Sequence, residues 1–436
     1  MQANHPDLEK FRLRPVDHTD LFGIFMGVHA IPNTVMLLHT TVGCKFKTQM
    51  HLVDHDWFSE SHNQRLWTGV DDVRLIQGSG KRLLQFATTW YERRHPELFV
   101  VTTNAAIELS AFDVEAAVQE LQATLPCPVI LLKAPGHEGS YQRGYRRFIE
   151  AICELVDWDV KPQEKRVSLV GYLFDRFEMD HAANLSEVRR LLLAAGLEPG
   201  VNLLEGRKLG VLANVAKSQI IGVLPLAKPM ISTFEKLPDR KIVSLDLPIG
   251  LNGTAQFLRT LVAAAGGNLD ELETVIDREM ARAVPLIAHG ARRLKGTRVA
   301  IFQDTPTAIA LAAFLWELDC EVPLVALSET EPVDPQVFFD GIERLGVKFA
   351  NQPVVLSNAS RDGGLAEYRR LVEEDPIPVV IGSSLQKAAL GAGQAAVIEL
   401  GYPSVYKHSL FPVPWLGFNG ALALVQRLVD ALNYAF

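Results

Sequence analysis

The sequence predicts an α/β fold, and three observations lead to it. Continuous apolar runs of strand length, such as residues 98–103 and 128–133, alternate with amphipathic stretches of helix length. Runs of this kind are typical of parallel strands that are buried on both faces. The chain of 436 residues is too long for one ordinary core. We therefore predict three Rossmann-like domains, each a mostly parallel sheet flanked by helices, with clefts between them.

Two joints divide the predicted units. A charged run at 161–166 precedes a new apolar strand, and Gly296 follows a long helical stretch. The predicted organisation is an N-terminal arm (1–20), a first domain that carries Cys44 (21–165), a second domain (166–295) and a third domain (296–436).

The elements of the first unit begin with a β-rich run at 34–38. This run leads into a turn at Gly43-Cys44, after which a helical segment is predicted from Lys45 to about Asp54. Two strands and two helices then alternate, as the sheet requires. The strands are predicted at 98–103 and 128–133, and the helices at 113–121 and 144–156.

The later units repeat the alternation of strand and helix. In the second unit the loops at 175–184 and 246–254 precede helices, and a long helix covers 269–294. The predicted strands are 167–172, 219–224, 241–245, 297–302, 322–327 and 379–382, and the other predicted helices are 185–195, 255–265, 307–318 and 420–431.

Composition argues against several classes of partner. The net charge of -8 gives no support to a nucleic acid or an anionic membrane as partner. No apolar run has the length of a membrane span, and the polar N-terminal stretch does not read as a signal peptide, so we expect a cytoplasmic protein. No G-x-G-x-x-G follows the first strand of a unit and no P-loop lysine motif occurs, so we expect no nucleotide bound by this chain.

The four cysteines show no C-x-x-C pair and no zinc spacing. Cys44 sits at a strand-to-helix turn, where free backbone N–H groups and a helix N-terminus favour a thiolate. It is thus a candidate metal–sulfur ligand, the alternative being a small buried apolar residue. Cys127, Cys153 and Cys320 are predicted to serve packing only, so the other ligands of any cluster would have to come from a second chain.

Two groups of histidines have metal-like residue types. His51 and His55 would share one helix face beside Asp54 and Asp56, which suits zinc, but the continuing polar run favours an exposed or interface helix end. His408 is predicted to be a hydrogen-bonded loop histidine, with a ligand role as the alternative.

Four stretches, in their order and spacing, resemble the nitrogenase component 1 superfamily. The resemblance covers nearly the whole chain, and the length kept between 402 and 420 is similar to that of its β-type chains. The four stretches are 37–44, 134–140, 247–254 and 416–421.

The resemblance implies a set of site residues. Of the three cysteines with which a nitrogenase β subunit binds its bridging cluster, the middle one is kept as Cys44, while the first falls near Thr19 and the third on Asn104. Ser140 matches a serine that can approach that cluster, or else caps a helix. A single cysteine implies a 4Fe–4S cluster for which a partner chain supplies three thiolates. A larger P-cluster-like group would instead need Thr19, Asp20, Asn104 or Ser140 in place of thiolates.

The resemblance also implies a function, namely an oxidoreductase subunit. The leading expectation is a β-type subunit of a nitrogenase-like two-component ATP-dependent reductase, paired with an α-type subunit as α2β2 or with a like chain. A nitrogenase-reductase-like iron protein would dock transiently and deliver electrons, and the partner subunit would hold most of the catalytic pocket. The leading substrate class is methylthio-alkanes, by C–S bond reduction. The alternatives are a cofactor-assembly scaffold subunit, a tetrapyrrole (chlorophyllide-type) reductase subunit, and a binding module with Cys44 in its core.

Overall fold

The described part of the chain folds into three parallel sheets flanked by helices, which confirms the predicted α/β class. The computed structural model describes residues 19–41, 64–71, 73–74, 78–110, 112–135, 139–329, 332–349, 351–357, 363–391 and 393–434. Each pair of neighbouring strands runs parallel. The sheets follow one another along the chain, and the bounds of the predicted domains stay a prediction.

The first sheet has the strand order β2-β1-β3-β4. Its central strands are buried along their whole length, as expected for a sheet covered on both faces. The strands are β1 (Thr34–His39), β2 (Gln64–Trp67), β3 (Leu98–Thr103) and β4 (Val129–Leu132), and the helices are α1 (Asp20–His29), α2 (Gly80–Arg94), α3 (Ala105–Glu108), α4 (Val114–Thr124) and α5 (Tyr141–Glu154).

The second sheet has the order β6-β5-β7-β8. Its strands are β5 (Gln163–Val170), β6 (Glu198–Asn202), β7 (Ser218–Val223) and β8 (Lys241–Ser244). Its helices are α6 (Met179–Ala194), α7 (Leu209–Leu212), α8 (Ile231–Phe234), α9 (Gly250–Ala265) and α10 (Leu269–Leu294), with 3-10 turns at Ala213–Lys217 and Pro225–Met230.

The third sheet has the order β11-β10-β9-β12-β13. Its strands are β9 (Val299–Gln303), β10 (Leu324–Leu327), β11 (Val354–Leu356), β12 (Val379–Gly382) and β13 (Ala396–Glu399). Its helices are α11 (Thr305–Glu317), α12 (Gln336–Arg344), α13 (Gly363–Glu374), α14 (Ser384–Leu390) and α15 (Gly417–Tyr434).

Three local predictions are corrected by the structure. The loop predicted at 175–184 is helical from Met179, because polar residues that look like loop residues are buried there and satisfied by one another. Helix α9 begins at Gly250 rather than at 255, because its first free N–H groups donate to a carboxylate of α11. The charged run at 161–166 is strand from Gln163, since the first half of β5 is exposed and tolerates charge.

Helices α1 and α5 pack unusually closely because glycines face the contact. A Cβ on Gly23 would overlap the carbonyl oxygen of Tyr141, and a Cβ on Gly144 would overlap the carbonyl oxygen of Asp20. A Cβ on Gly27 would meet the ring of Phe148. This contact fixes the N-terminus of α5 against the start of α1.

In the part of the chain that the structure describes, no helix combines the length and the apolar character needed to cross a membrane.

Candidate functional site

The carboxyl edge of the first sheet is where the described site residues predicted from the sequence lie. Strands β1 and β3 stay in register to their last residues, His39 and Thr103, and β4 ends beside β3 at Leu132. A bridge between Thr41 and Val70 extends this edge beyond β1. Cys44 lies three residues further along the chain, outside the described residues, as do His51 and His55.

Asn104 and Ser140 lie at this edge and both cap helices. The Asn104 Oδ1 accepts a hydrogen bond from the Ile107 N–H at 3.3 Å, at the start of α3. The buried Ser140 Oγ accepts one from the Arg143 N–H at 3.1 Å, at the start of α5. Ser140 therefore caps α5, as one of its two interpretations predicted. A contact of Asn104 or Ser140 with a cluster stays a prediction.

Asp20 anchors α1 to α5 beside the same edge. Its carboxylate is buried, and its Oδ2 lies 3.0 Å from Arg147 Nη1 and 3.5 Å from Arg143 Nε. Arg147 also donates to the Lys133 carbonyl oxygen at 2.8 Å, just after β4. The preceding Thr19 occupies the N-cap position of α1 without a side-chain capping bond. Asp20 is thus held as an ion-paired carboxylate.

His39 is a neutral histidine at the end of β1. Burial lowers its pKa to about 4, so the ring is uncharged near neutral pH. Its Nε2 lies 2.7 Å from Ser79 Oγ, and its ring centroid lies 5.1 Å from that of Phe112. These contacts fix the ring as part of the packed edge.

The other three cysteines are packed thiols. Cys127 precedes β4 and so lies at the amino edge of the sheet, opposite Asn104, and burial raises its pKa. Burial raises the pKa values of Cys153 and Cys320 to about 12 each. The Cys320 thiol also contacts the Leu294 carbonyl oxygen at 3.5 Å. Such thiols stay protonated near neutral pH, and the described residues contain no group of three or more His, Cys, Asp or Glu able to hold a metal ion.

A buried ionic cluster at the start of α6 was missed by sequence reasoning. Arg176 lies 2.9 Å from Asp175 Oδ2, 2.9 Å from Asp180 Oδ2 and 3.3 Å from Glu178 Oε2, and all four side chains are buried. The His181 Nε2 lies 2.7 Å from Asp175 Oδ1. Burial raises the pKa of Asp180, but the charges of His181 and Arg176 outweigh it and hold that pKa below its usual value. The signal available in the sequence was a run dense in ionisable residues directly after an apolar strand.

The same cluster binds the segment before α15. His408 Nδ1 lies 2.6 Å from Glu178 Oε1, and the Ser409 N–H donates to Glu178 Oε2 at 2.7 Å. The Asn184 Oδ1 accepts hydrogen bonds from the backbone N–H groups of Trp415 and Leu416 at 2.8 and 3.1 Å. His408 therefore has the hydrogen-bonded loop position that its sequence context predicts.

The comparisons with known proteins agree with this architecture. A family model described as Nitrogenase component 1 type Oxidoreductase matches residues 20–433. The chain belongs to this family.

Two β chains show how far the similarity to nitrogenase component 1 proteins extends. The nitrogenase molybdenum-iron protein beta chain of Frankia alni is 23% identical over 97% of this chain and 83% of its own length. The corresponding chain of Clostridium pasteurianum is 19% identical over 97% of this chain and 93% of its own length. The prediction of a β-type chain of this superfamily is confirmed.

A solved structure shares the fold. The structure described as "Nitrogenase Cp1 at pH 6.5" superposes with a TM-score of 0.78 at 17% identity, covering 97% of this chain and 93% of the other. At that identity the match shows the three-sheet architecture of nitrogenase component 1 proteins.

Proposed function

We propose that the chain is the β-type subunit of an ATP-dependent two-component reductase and that Cys44 gives one thiolate to an iron–sulfur cluster shared with an α-type subunit. The observation that carries this proposal is that the other three cysteines are packed in the protein interior or partly buried. Cys127, Cys153 and Cys320 are packed thiols with raised pKa values. Cys44 is the one cysteine that follows β1 closely in the sequence, and Asn104 and Ser140 lie at the edge where β1 ends.

The donors at this edge fit a cluster for which this chain supplies a single thiolate. Asn104 and Ser140 each use a side-chain oxygen to cap a helix, and Asp20 is paired with two arginines. A cubane cluster takes four thiolates, so the other three would come from the α-type subunit in an α2β2 assembly. The bound cluster would supply one-electron redox chemistry, with an iron protein that hydrolyses ATP as the electron source.

The test is the iron content and reduced-state EPR spectrum of the complex, purified anaerobically with the α-type subunit. We expect about four irons per αβ unit and a reduced-state signal that is lost in Cys44→Ser. Cys127→Ser is the matched control and should keep both iron and signal. A complex without iron, or full iron in Cys44→Ser, would contradict the proposal.

As the substrate class we propose methylthio-alkanes, a proposal that rests on the family resemblance. Reduction of dimethyl sulfide breaks one C–S bond, consumes two electrons and two protons, and yields methane and methanethiol. The electrons would come from the iron protein in two single-electron steps. With iron protein, ATP and dithionite present, both products should appear in equal amounts and should require ATP. Loaded complex that forms neither product would refute this substrate class.

A cofactor-assembly scaffold is the second candidate, and the single cysteine favours it. A scaffold holds an iron–sulfur precursor without turning over a small substrate. It therefore predicts the same loss of iron in Cys44→Ser but no hydrocarbon product. A chlorophyllide-type reductase would instead consume a tetrapyrrole, and the absorption spectrum of the tetrapyrrole would change as it is reduced.

A further inference from the structure

A cavity of about 310 Å³ lies where the carboxyl ends of the three sheets meet. Its lining comes from loops and helix ends of all three sheets, and Ser140 at the start of α5 belongs to it. Tyr172 and Asp175 follow β5, Asp304 follows β9, Glu329 follows β10 and Tyr402 follows β13. Such meeting points of strand ends are where open α/β sheets bind ligands.

Two carboxyl groups in this wall have no cationic partner among the described residues. The Asp304 Oδ1 accepts a hydrogen bond from the Thr307 N–H at 3.1 Å, and the Glu329 Oε1 accepts one from the Thr305 N–H at 2.5 Å. The Glu329 Oε2 is buried and has no hydrogen-bond partner in the described part of the chain. Burial raises the pKa of Glu329 to about 7, and the charge of Asp304 adds to this rise.

Gln142 is an independent sign of a ligand. This residue lines the cavity and is 8% exposed, yet neither its Oε1 nor its Nε2 has a hydrogen-bond partner among the described residues. A buried amide without partners is costly, and such groups usually meet a water molecule or a ligand. The amide presents one acceptor and one donor to whatever fills the cavity.

The remaining wall is acidic and aromatic. Arg176 is already surrounded by three carboxylates, so its charge is compensated. The rings of Tyr141 and Tyr402 lie side by side, with centroids 5.1 Å apart, and can face a cation. The titratable groups that line the cavity are Asp175, Asp180, Asp304, Glu329, Arg146, Arg176, His181, Tyr141, Tyr172 and Tyr402.

We propose that this cavity binds a small organic ammonium ion that also carries a hydrogen-bond acceptor, as an amino alcohol does. The ammonium N–H groups would donate to Asp304, Glu329 and the Gln142 Oε1, while the acceptor takes the Gln142 Nε2–H. Asp175 and Asp180 are paired with Arg176 and His181, so the carboxyl groups of Asp304 and Glu329 are the ones left to meet a ligand, which favours a cation over an anion. The proposal assigns no role to Cys44, so calorimetry on the chain and iron analysis of the complex test the two proposals separately.

The test is isothermal titration calorimetry of the full chain with ethanolamine at pH 7. We expect saturable binding of one molecule per chain, while ethylene glycol, which lacks the charge, and tetramethylammonium, which lacks N–H donors, bind at least about tenfold more weakly. Because the cation favours ionised Glu329, binding should release protons, so the heat should differ between buffers of different ionisation enthalpy.

Matched variants locate the binding. Glu329→Gln should weaken ethanolamine binding about tenfold to a hundredfold and abolish the proton release. Glu317→Gln is the control, because burial also raises the pKa of Glu317 to about 7 but this residue lies in another groove. Gln142→Leu should weaken binding without loss of stability, which keeps the test valid if Glu329→Gln does not fold. Three results would overturn the proposal: no binding of ethanolamine to the wild-type chain, wild-type affinity in both Glu329→Gln and Gln142→Leu, or tighter binding of acetate than of ethanolamine.

Discussion

Replacing Arg176 by Met tests the buried ionic cluster directly. The guanidinium lies within 3.3 Å of the carboxylates of Asp175, Glu178 and Asp180, whose side chains are at most 7% exposed. Methionine keeps the length of the side chain but leaves three buried carboxyl groups without their shared cation. Removing one partner of a buried pair costs about 3–5 kcal/mol, so we expect a loss of about 4 kcal/mol in the free energy of unfolding at pH 8. Urea unfolding followed by circular dichroism measures it.

The pH dependence of this loss has a definite sign. Loss of Arg176 removes one of the charges that oppose the effect of burial on Asp180, so the folded-state pKa of this carboxyl group is raised relative to wild type. A group with a raised folded-state pKa contributes stability below its unfolded pKa and loses that contribution as the pH rises through the folded-state pKa. The deficit of Arg176→Met relative to wild type should therefore be larger at pH 8 than at pH 5.

A surface arginine provides the control. Arg370 pairs with Glu367 and Glu374 on the exposed face of α13, and such pairs contribute little. Arg370→Met should change stability little at either pH. The reasoning is refuted if Arg176→Met unfolds at the wild-type urea concentration at pH 8, or if its deficit is the same at pH 5.

Two further predictions concern packing and thiols. Gly144→Ala should lower the free energy of unfolding by about 1–3 kcal/mol, because the new methyl group would overlap the Asp20 carbonyl oxygen, whereas Gly210→Ala, with no atom within 4 Å, should leave stability unchanged or slightly raised. If the two variants have the same free energy of unfolding in urea, the inferred close contact of α1 and α5 is contradicted. Cys153 and Cys320 should react with iodoacetamide at pH 8 about a thousandfold more slowly in the folded protein than in urea, because burial raises their pKa values to about 12. Mass spectrometry that finds them alkylated at equal rates in both states would contradict this.

Local signals explain which elements the sequence could predict. Helix α10 begins at Leu269 and ends at Leu294, as predicted, because Asn268 caps its first N–H groups and two arginines stand in its last turn. Helix α9 was predicted five residues too short, because the group that caps its first turn is Glu317. That carboxylate is far away in sequence, and no local pattern reveals it.

The candidate site divides in the same way. The positions of Asn104 and Ser140 followed from local stretches, and their capping bonds are local as well. The ionic cluster around Arg176 could not be predicted, because buried charges resemble a solvated loop until their partners are known. One of those partners, His408, reaches Glu178 from the other end of the chain.

Helix α5 couples the two sites. Its N-cap Ser140 lies at the first-sheet edge and also lines the cavity, as does Gln142 two residues later. The helix is fixed by its glycine contact with α1 and by Tyr145, whose hydroxyl donates to the Tyr172 carbonyl oxygen at 3.1 Å. A shift of α5 must therefore move both sites. Gly144→Ala should change both the reduced-state EPR signal of the complex and the affinity for ethanolamine. Glu329→Gln, which lies in the loop after β10, should change the affinity for ethanolamine and leave the EPR signal as in wild type.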